Sequence, residues 1–191
     1  MTGTPLIPAA AGNDPQLNVA GGTLVVNGNF AGVSTQVQSG ATLKGNGAVG
    51  VTEANSGGTI AIGSSPGCMT FDSLAMALGS TWQADVTGST ACSGYDKATV
   101  NGIGDLNANP TLQVNQLAGL TLPAGTVLTI IDGTNVTGVF SGLPDGAVFA
   151  VNGINYHIHN TSTGEVTLTV LADTVTPTAT TPSTTISRHR Q

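Results

Sequence analysis

A glycine followed closely by Thr-Leu or Thr-Ile returns three times along the early part of the chain. The copies are Gly22-Thr23-Leu24-Val25-Val26-Asn27-Gly28, Gly40-Ala41-Thr42-Leu43-Lys44-Gly45-Asn46-Gly47 and Gly57-Gly58-Thr59-Ile60-Ala61-Ile62-Gly63. A looser fourth copy is Gly79-Ser80-Thr81-Trp82, so the threonines are separated by 19, 17 and 22 residues. Self-similarity at such a period marks a stacked repeat. Spacings this uneven fit a coiled strand whose turns tolerate small insertions. In such a stack each repeat pairs with its neighbours at about 4.8 Å, and the backbone is satisfied between repeats. Leu24 with Val26, and Ile60 with Ile62, alternate as one inward face, while Thr, Val and Ala between them point outward. The Asn-Gly steps 27–28, 46–47, 101–102 and 152–153 are read as corners supplying positive φ.

Composition agrees with that reading. Only 7% of the 191 residues are charged, against about 25% in an ordinary domain. Helices need charged residues and strong helix formers on their outer faces, whereas 27 Gly and abundant Thr, Val and Asn favour strands. Residues 1–172 carry only Lys44 and Lys97 against nine carboxylates, with Arg188 and Arg190 near the C-terminus. A nucleic-acid face built on clustered cations is therefore excluded. Although 39% of residues are hydrophobic, no stretch holds about 18 uninterrupted apolar residues, so no membrane-spanning helix is expected.

Beyond residue 95 the strands lengthen. Candidates at 97–100, 111–115, 126–131, 147–151, 154–158 and 165–171 are separated by turn chemistry at Pro110, Pro123-Ala124-Gly125, Asp132-Gly133 and Leu143-Pro144-Asp145-Gly146. Val151-Asn152-Gly153-Ile154 reads as a hairpin with a type I′ turn. These strands are either further repeats or a β cap. The division expected is a lead-in over 1–17, a β domain over 18–171 with 95–171 as a capping subregion, and a Thr/Pro-rich linker or stalk over 172–191. Met1-Thr2-Gly3-Thr4-Pro5 lacks the basic start and apolar core of an export signal, which reads as a fragment whose signal lies elsewhere. Cys68 and Cys92 are either two buried thiols or a disulfide; their separation of 24 residues, one repeat plus a turn, leads us to expect the bond and an oxidising compartment.

The run Ser64-Ser65-Pro66-Gly67-Cys68-Met69-Thr70, then Gly79-Ser80-Thr81-Trp82 and Thr90-Ala91-Cys92-Ser93-Gly94-Tyr95-Asp96-Lys97, resembles the C-terminal passenger region of autotransporter-associated β-strand-repeat proteins. The segments 123–131, 138–146 and 151–156 continue the resemblance in order, over about residues 18–171. It implies a bacterial surface or secreted β-solenoid, usually part of a much longer protein, and no catalytic residues to carry over. Two departures stand out. Tyr156-His157-Ile158-His159-Asn160-Thr161-Ser162-Thr163-Gly164 runs straight to Glu165 where that family tends to have a Gly-rich acidic turn, and only the Thr/Pro tail follows residue 171.

Parallel β-helices also host polysaccharide lyases and hydrolases, which need paired carboxylates, or a base held close to an acid. Asp72, Asp85, Asp96, Asp105, Asp132 and Asp145 are scattered singly, several beside Gly, and are read as turn formers. His157 and His159 alternate on one strand and share a face, offering two metal ligands; a third would have to be Asp145 or Glu165, brought in by folding. No metal or cofactor is therefore expected. Trp82 and Tyr95 could stack on sugars if exposed and are read as core or cap residues. The expectation is an all-β, right-handed parallel β-solenoid acting as a non-enzymatic structural or adhesive segment of a bacterial cell-surface or secreted protein. Its partners are the remainder of that protein and an unidentified host or glycan receptor. The rival readings are a carbohydrate-active β-helix and a self-associating surface or filament subunit.

Overall fold

A computed structural model describes residues 15–160 and 164–172. Most of the expected lead-in and nearly all of the Thr/Pro stretch thus lie outside the described residues. Among the described residues every regular element is a strand, as the shortage of helix formers predicts.

The chain passes back and forth between two sheets. One contains β2 (Gly22–Val25), β5 (Ala41–Gly45), β7 (Thr59–Ile62), β9 (Thr81–Val86) and β12 (Thr111–Gln116), all parallel and in the order β12-β9-β7-β5-β2. The other begins with β1 (Gln16–Val19), β4 (Ser34–Val37), β6 (Ala48–Ala54), β8 (Cys68–Met76), β10 (Lys97–Val100) and β13 (Val127–Gly133), again parallel. Short strands β3 (Asn29–Phe30), β11 (Gly104–Leu106) and β14 (Val136–Gly138) pair beside this path.

The repeat motif explains the register. Thr23, Thr42, Thr59, Thr81 and Thr111 face one another strand by strand. The next residues inward, Leu24, Leu43, Ile60, Trp82 and Leu112, form a second ladder. Leu43, Ile60 and Trp82 are fully buried, and the two end members are half-buried because each lacks a neighbour on one side. Val19, Val37, Ala54 and Met76 make the matching aliphatic ladder of the opposite sheet. Like residues stack because consecutive repeats present the same position to the same depth of core. Truncating one buried member such as Leu43 to alanine costs about 2–5 kcal/mol. Trp82 also brings a cost: its indole N–H has no hydrogen-bond partner.

The corners differ from the sequence reading. Of the four Asn-Gly steps, only 152–153 has positive φ, at 45° and 86°. This is the two-residue type I′ turn joining β15 (Val148–Val151) to β16 (Ile154–Asn160). Left-handed corners instead stand two residues before three of the ladder threonines, at Gly40, Gly57 and Gly79, with Asn109 taking that place before Thr111 at φ 54°. Gly47 is required by proximity: a Cβ there would lie 2.2 Å from the Gly28 carbonyl oxygen.

The C-terminal strands depart from the parallel pattern. Beyond β13 the sheet continues through β17 (Val166–Val170), β16 and β15, all antiparallel. Between residues 97 and 138, β10 to β14 each keep a parallel partner, and the strands paired only antiparallel lie at 148–170. The antiparallel strands are tied to the other sheet. The Tyr156 hydroxyl donates to Gln116 Oε1 at 2.7 Å, and Asn152 Nδ2 donates to the Gln116 carbonyl at 2.9 Å. Burial pushes the Tyr156 phenol up to about 12, so it stays a donor.

Candidate functional site

A polar cluster forms where the segment after β7, the end of β9 and the segment before β10 meet. Cys68 and Cys92 are joined there by a disulfide, with Cα atoms 4.9 Å apart. In the chain-entropy account, closing a loop of this length contributes about 3 kcal/mol. Asparagines from successive repeats feed the same corner: Asn46 N–H donates to Asn27 Oδ1, and Cys68 N–H donates to Asn46 Oδ1, both at 3.1 Å. Ser65 and Cys92 sit there at φ 72° and 68°, conformations that non-glycine residues hold only when their surroundings fix them.

Asp96 lies at the centre and is 1% exposed. Its carboxyl accepts the backbone N–H of Gly67 at 2.7 Å and of Asp85 at 2.8 Å, while its own N–H donates to the Asp85 carbonyl at 3.0 Å. Burial outweighs these two donations and lifts the Asp96 carboxyl from 3.8 to about 7, with the nearby Asp85 charge adding slightly and Lys44 opposing. The Asp85 carboxylate faces outward. It accepts from Asn115 Nδ2 at 2.9 Å and from the Ser65 hydroxyl, and Gln113 Nε2 donates on to Asn115 Oδ1 at 3.0 Å. Folding thus joins the Asp96 carboxyl to the Asp85 backbone, 11 residues away, and turns the Asp85 carboxylate toward Asn115 and Ser65.

The reading of the aspartates as turn formers is corrected. Asp72, Asp85, Asp105 and Asp132 lie within strands β8, β9, β11 and β13, and Asp96 directly precedes β10. Their oxygens still serve the backbone or a neighbour. Asp72 accepts from Gly32 N–H at 3.1 Å, Asp105 from Asn107 N–H at 2.9 Å, and Asp132 pairs with Lys97 at 2.7 Å. Only Asp145 occupies a turn, Pro144 to Ala147, closed by an N–H to carbonyl bond of 2.9 Å. It is the residue folding brings to the histidines: His159 Nδ1 lies 2.9 Å from Asp145 Oδ1, and the His157 and His159 rings meet edge to face at 4.9 Å. Trp82 and Tyr95 are both buried and cannot stack on a sugar.

Acid and base catalysis on a glycan needs both carboxyls within reach of substrate. Asp96 has its oxygens committed to two amides and almost no exposed surface, which makes it a clamp holding the corner to β9. A separate open groove of about 300 Å³, between Leu120, Leu122, Asn152, Ile154 and Val170, is lined without any carboxylate. Among the described residues no helix is long and apolar enough to cross a membrane, and no group of three or more His, Cys, Asp or Glu can hold a metal ion. No protein-family model and no curated protein matches this sequence.

Proposed function

We propose that this chain is a non-enzymatic structural or adhesive segment of a bacterial cell-surface or secreted protein, folded as a right-handed β-solenoid closed at its C-terminal end by the antiparallel strands. The observation that carries this reading is the five-strand parallel sheet β12-β9-β7-β5-β2, in which each repeat presents threonine and then an inward apolar residue in register. Such a stack is stiff along its axis and contacts only its neighbours, which suits a spacer. The outer surface supports the same reading: hydroxyls and amides make it soluble with few charges, so no row of like charges repels itself along the stack. The Cys68–Cys92 bond fits an oxidising compartment, and the family resemblance supports the bacterial surface.

A carbohydrate-active enzyme is the second reading, and the adjacency of Asp85 and Asp96 is what favours it. The two are separated by incubating the purified chain with pectin, alginate and β-glucan and assaying reducing ends. No release above the protein-free control is expected. Release that disappears in an Asp85→Asn variant would overturn the structural reading.

A further inference from the structure

The cap carries a cluster that the disulfide corner and the stack do not use. We propose that His157 and His159 form a surface site for a divalent transition-metal cation of the Zn²⁺ or Cu²⁺ class, with Asp145 as the residue that positions His159. Both histidines lie on β16, one residue apart, where alternation puts them on the same face. Their ring centroids are 4.9 Å apart. Two imidazoles bound to one cation at about 2.0–2.1 Å have ring centres on the order of 5 Å apart, so the spacing suits a shared ion once the edge-to-face rings rotate to bring their nitrogens together.

Asp145 supplies the second, independent observation. Its Oδ1 lies 2.9 Å from His159 Nδ1 and also accepts the Asn160 backbone N–H at 2.9 Å, so the carboxylate is itself held in place. A carboxylate on Nδ1 places the ring proton there and leaves Nε2 as the free lone pair, the arrangement that orients metal-ligating histidines elsewhere. His157 rests over the same turn: Gly146, at φ 83°, has only the His157 Nε2 near its missing side chain, 3.7 Å from where a Cβ would stand. With two protein nitrogens, water must complete the coordination shell. The site is therefore open and exchangeable, unlike a four-ligand structural zinc site.

Calorimetric titration of the full chain with ZnCl₂ at pH 7.5, repeated with CuCl₂ and MgCl₂, tests this. One Zn²⁺ per chain, tighter Cu²⁺ and no Mg²⁺ are expected. Affinity should fall at least about tenfold in His157→Gln and in His159→Gln, and about 10–100-fold in Asp145→Asn, with part of that loss recovered in Asp145→Glu. His189→Gln, which changes the remaining histidine, should bind as the parent does. Circular dichroism and thermal melting of each variant separate lost binding from lost folding. The proposal is overturned by a parent chain that binds no Zn²⁺ at millimolar concentration, by undiminished binding in either β16 variant, or by loss in His189→Gln. Undiminished binding in Asp145→Asn would remove Asp145 from the site.

Discussion

Asp96 shows how far a single residue's role can lie from its local sequence. In Tyr95-Asp96-Lys97 nothing marks it as buried, because its partners Gly67 and Asp85 stand 29 and 11 residues away and arrive only when the strands register. A rule that links aspartate to turns reads neighbours in sequence, whereas Asp72, Asp85 and Asp96 satisfy amides that lie far away in sequence. The consequence is a pH dependence of unusual sign for an acidic group. The folded carboxyl titrates near 7 and the unfolded one near its ordinary 3.8, so between those values the folded state binds more proton than the unfolded state. Its contribution to stability is fully present below about pH 4, declines by on the order of 1 kcal/mol per pH unit, and is lost once the pH has risen through 7. Urea unfolding from pH 4.5 to 7.5 should show that decline in the parent chain and a flatter profile in Asp96→Asn. Equal slopes in the two proteins would mean that Asp96 is not the group titrating.

At the level of elements, the repeats were legible because a threonine and an apolar residue recur together after a small corner residue, and pairing turns that recurrence into ladders. The fifth copy was missed. Thr111-Leu112 continues the ladder in register with Thr81-Trp82, but Asn109-Pro110 replaces the usual glycine corner and reads as a boundary. Asn109 holds φ 54° where the earlier copies place glycine, a conformation asparagine tolerates better than most residues. The Asn-Gly steps were misjudged for a related reason: glycine can be required by closeness as well as by φ, and closeness depends on the neighbouring repeat. Two substitutions separate these causes. Asn109→Gly should leave the unfolding free energy from urea titration within about 0.5 kcal/mol of the parent, since glycine adopts that φ freely and loses only chain entropy. Gly47→Ala should destabilise by about 1–3 kcal/mol or more, because the obstructing atom is a backbone carbonyl that cannot rotate away. A neutral Gly47→Ala would show that the repeats can separate at this point.

Over the whole molecule, the all-β character followed from composition and the parallel stacking from the repeats, while the antiparallel finish did not. The hairpin at Asn152-Gly153 was visible, because its turn is local. That β17 would add to β13 in the opposite direction was not, because alternating apolar residues specify a face and carry no strand direction. The result is a molecule with unlike ends. At one end β15, four residues long, is the outermost of the antiparallel strands, which are bonded to β12 through Gln116. At the other, β1 and β2 each have a strand neighbour on one side only among the described residues, and Val25 and Phe30 stand beside that edge 50% and 46% exposed. Unpaired backbone groups next to exposed apolar side chains invite another strand, so self-association, if the stack is built as proposed, belongs to the β1/β2 end. Multi-angle light scattering over a concentration series should show a mass that rises with concentration for the parent chain. Charging the open edge in a Val25→Lys, Phe30→Lys double variant should hold it near 18.8 kDa, whereas Val148→Lys at the β15 end should behave as the parent does. A mass that stays monomeric in all three proteins would refute association through this edge, and a monomer produced only by Val148→Lys would move the contact to the cap.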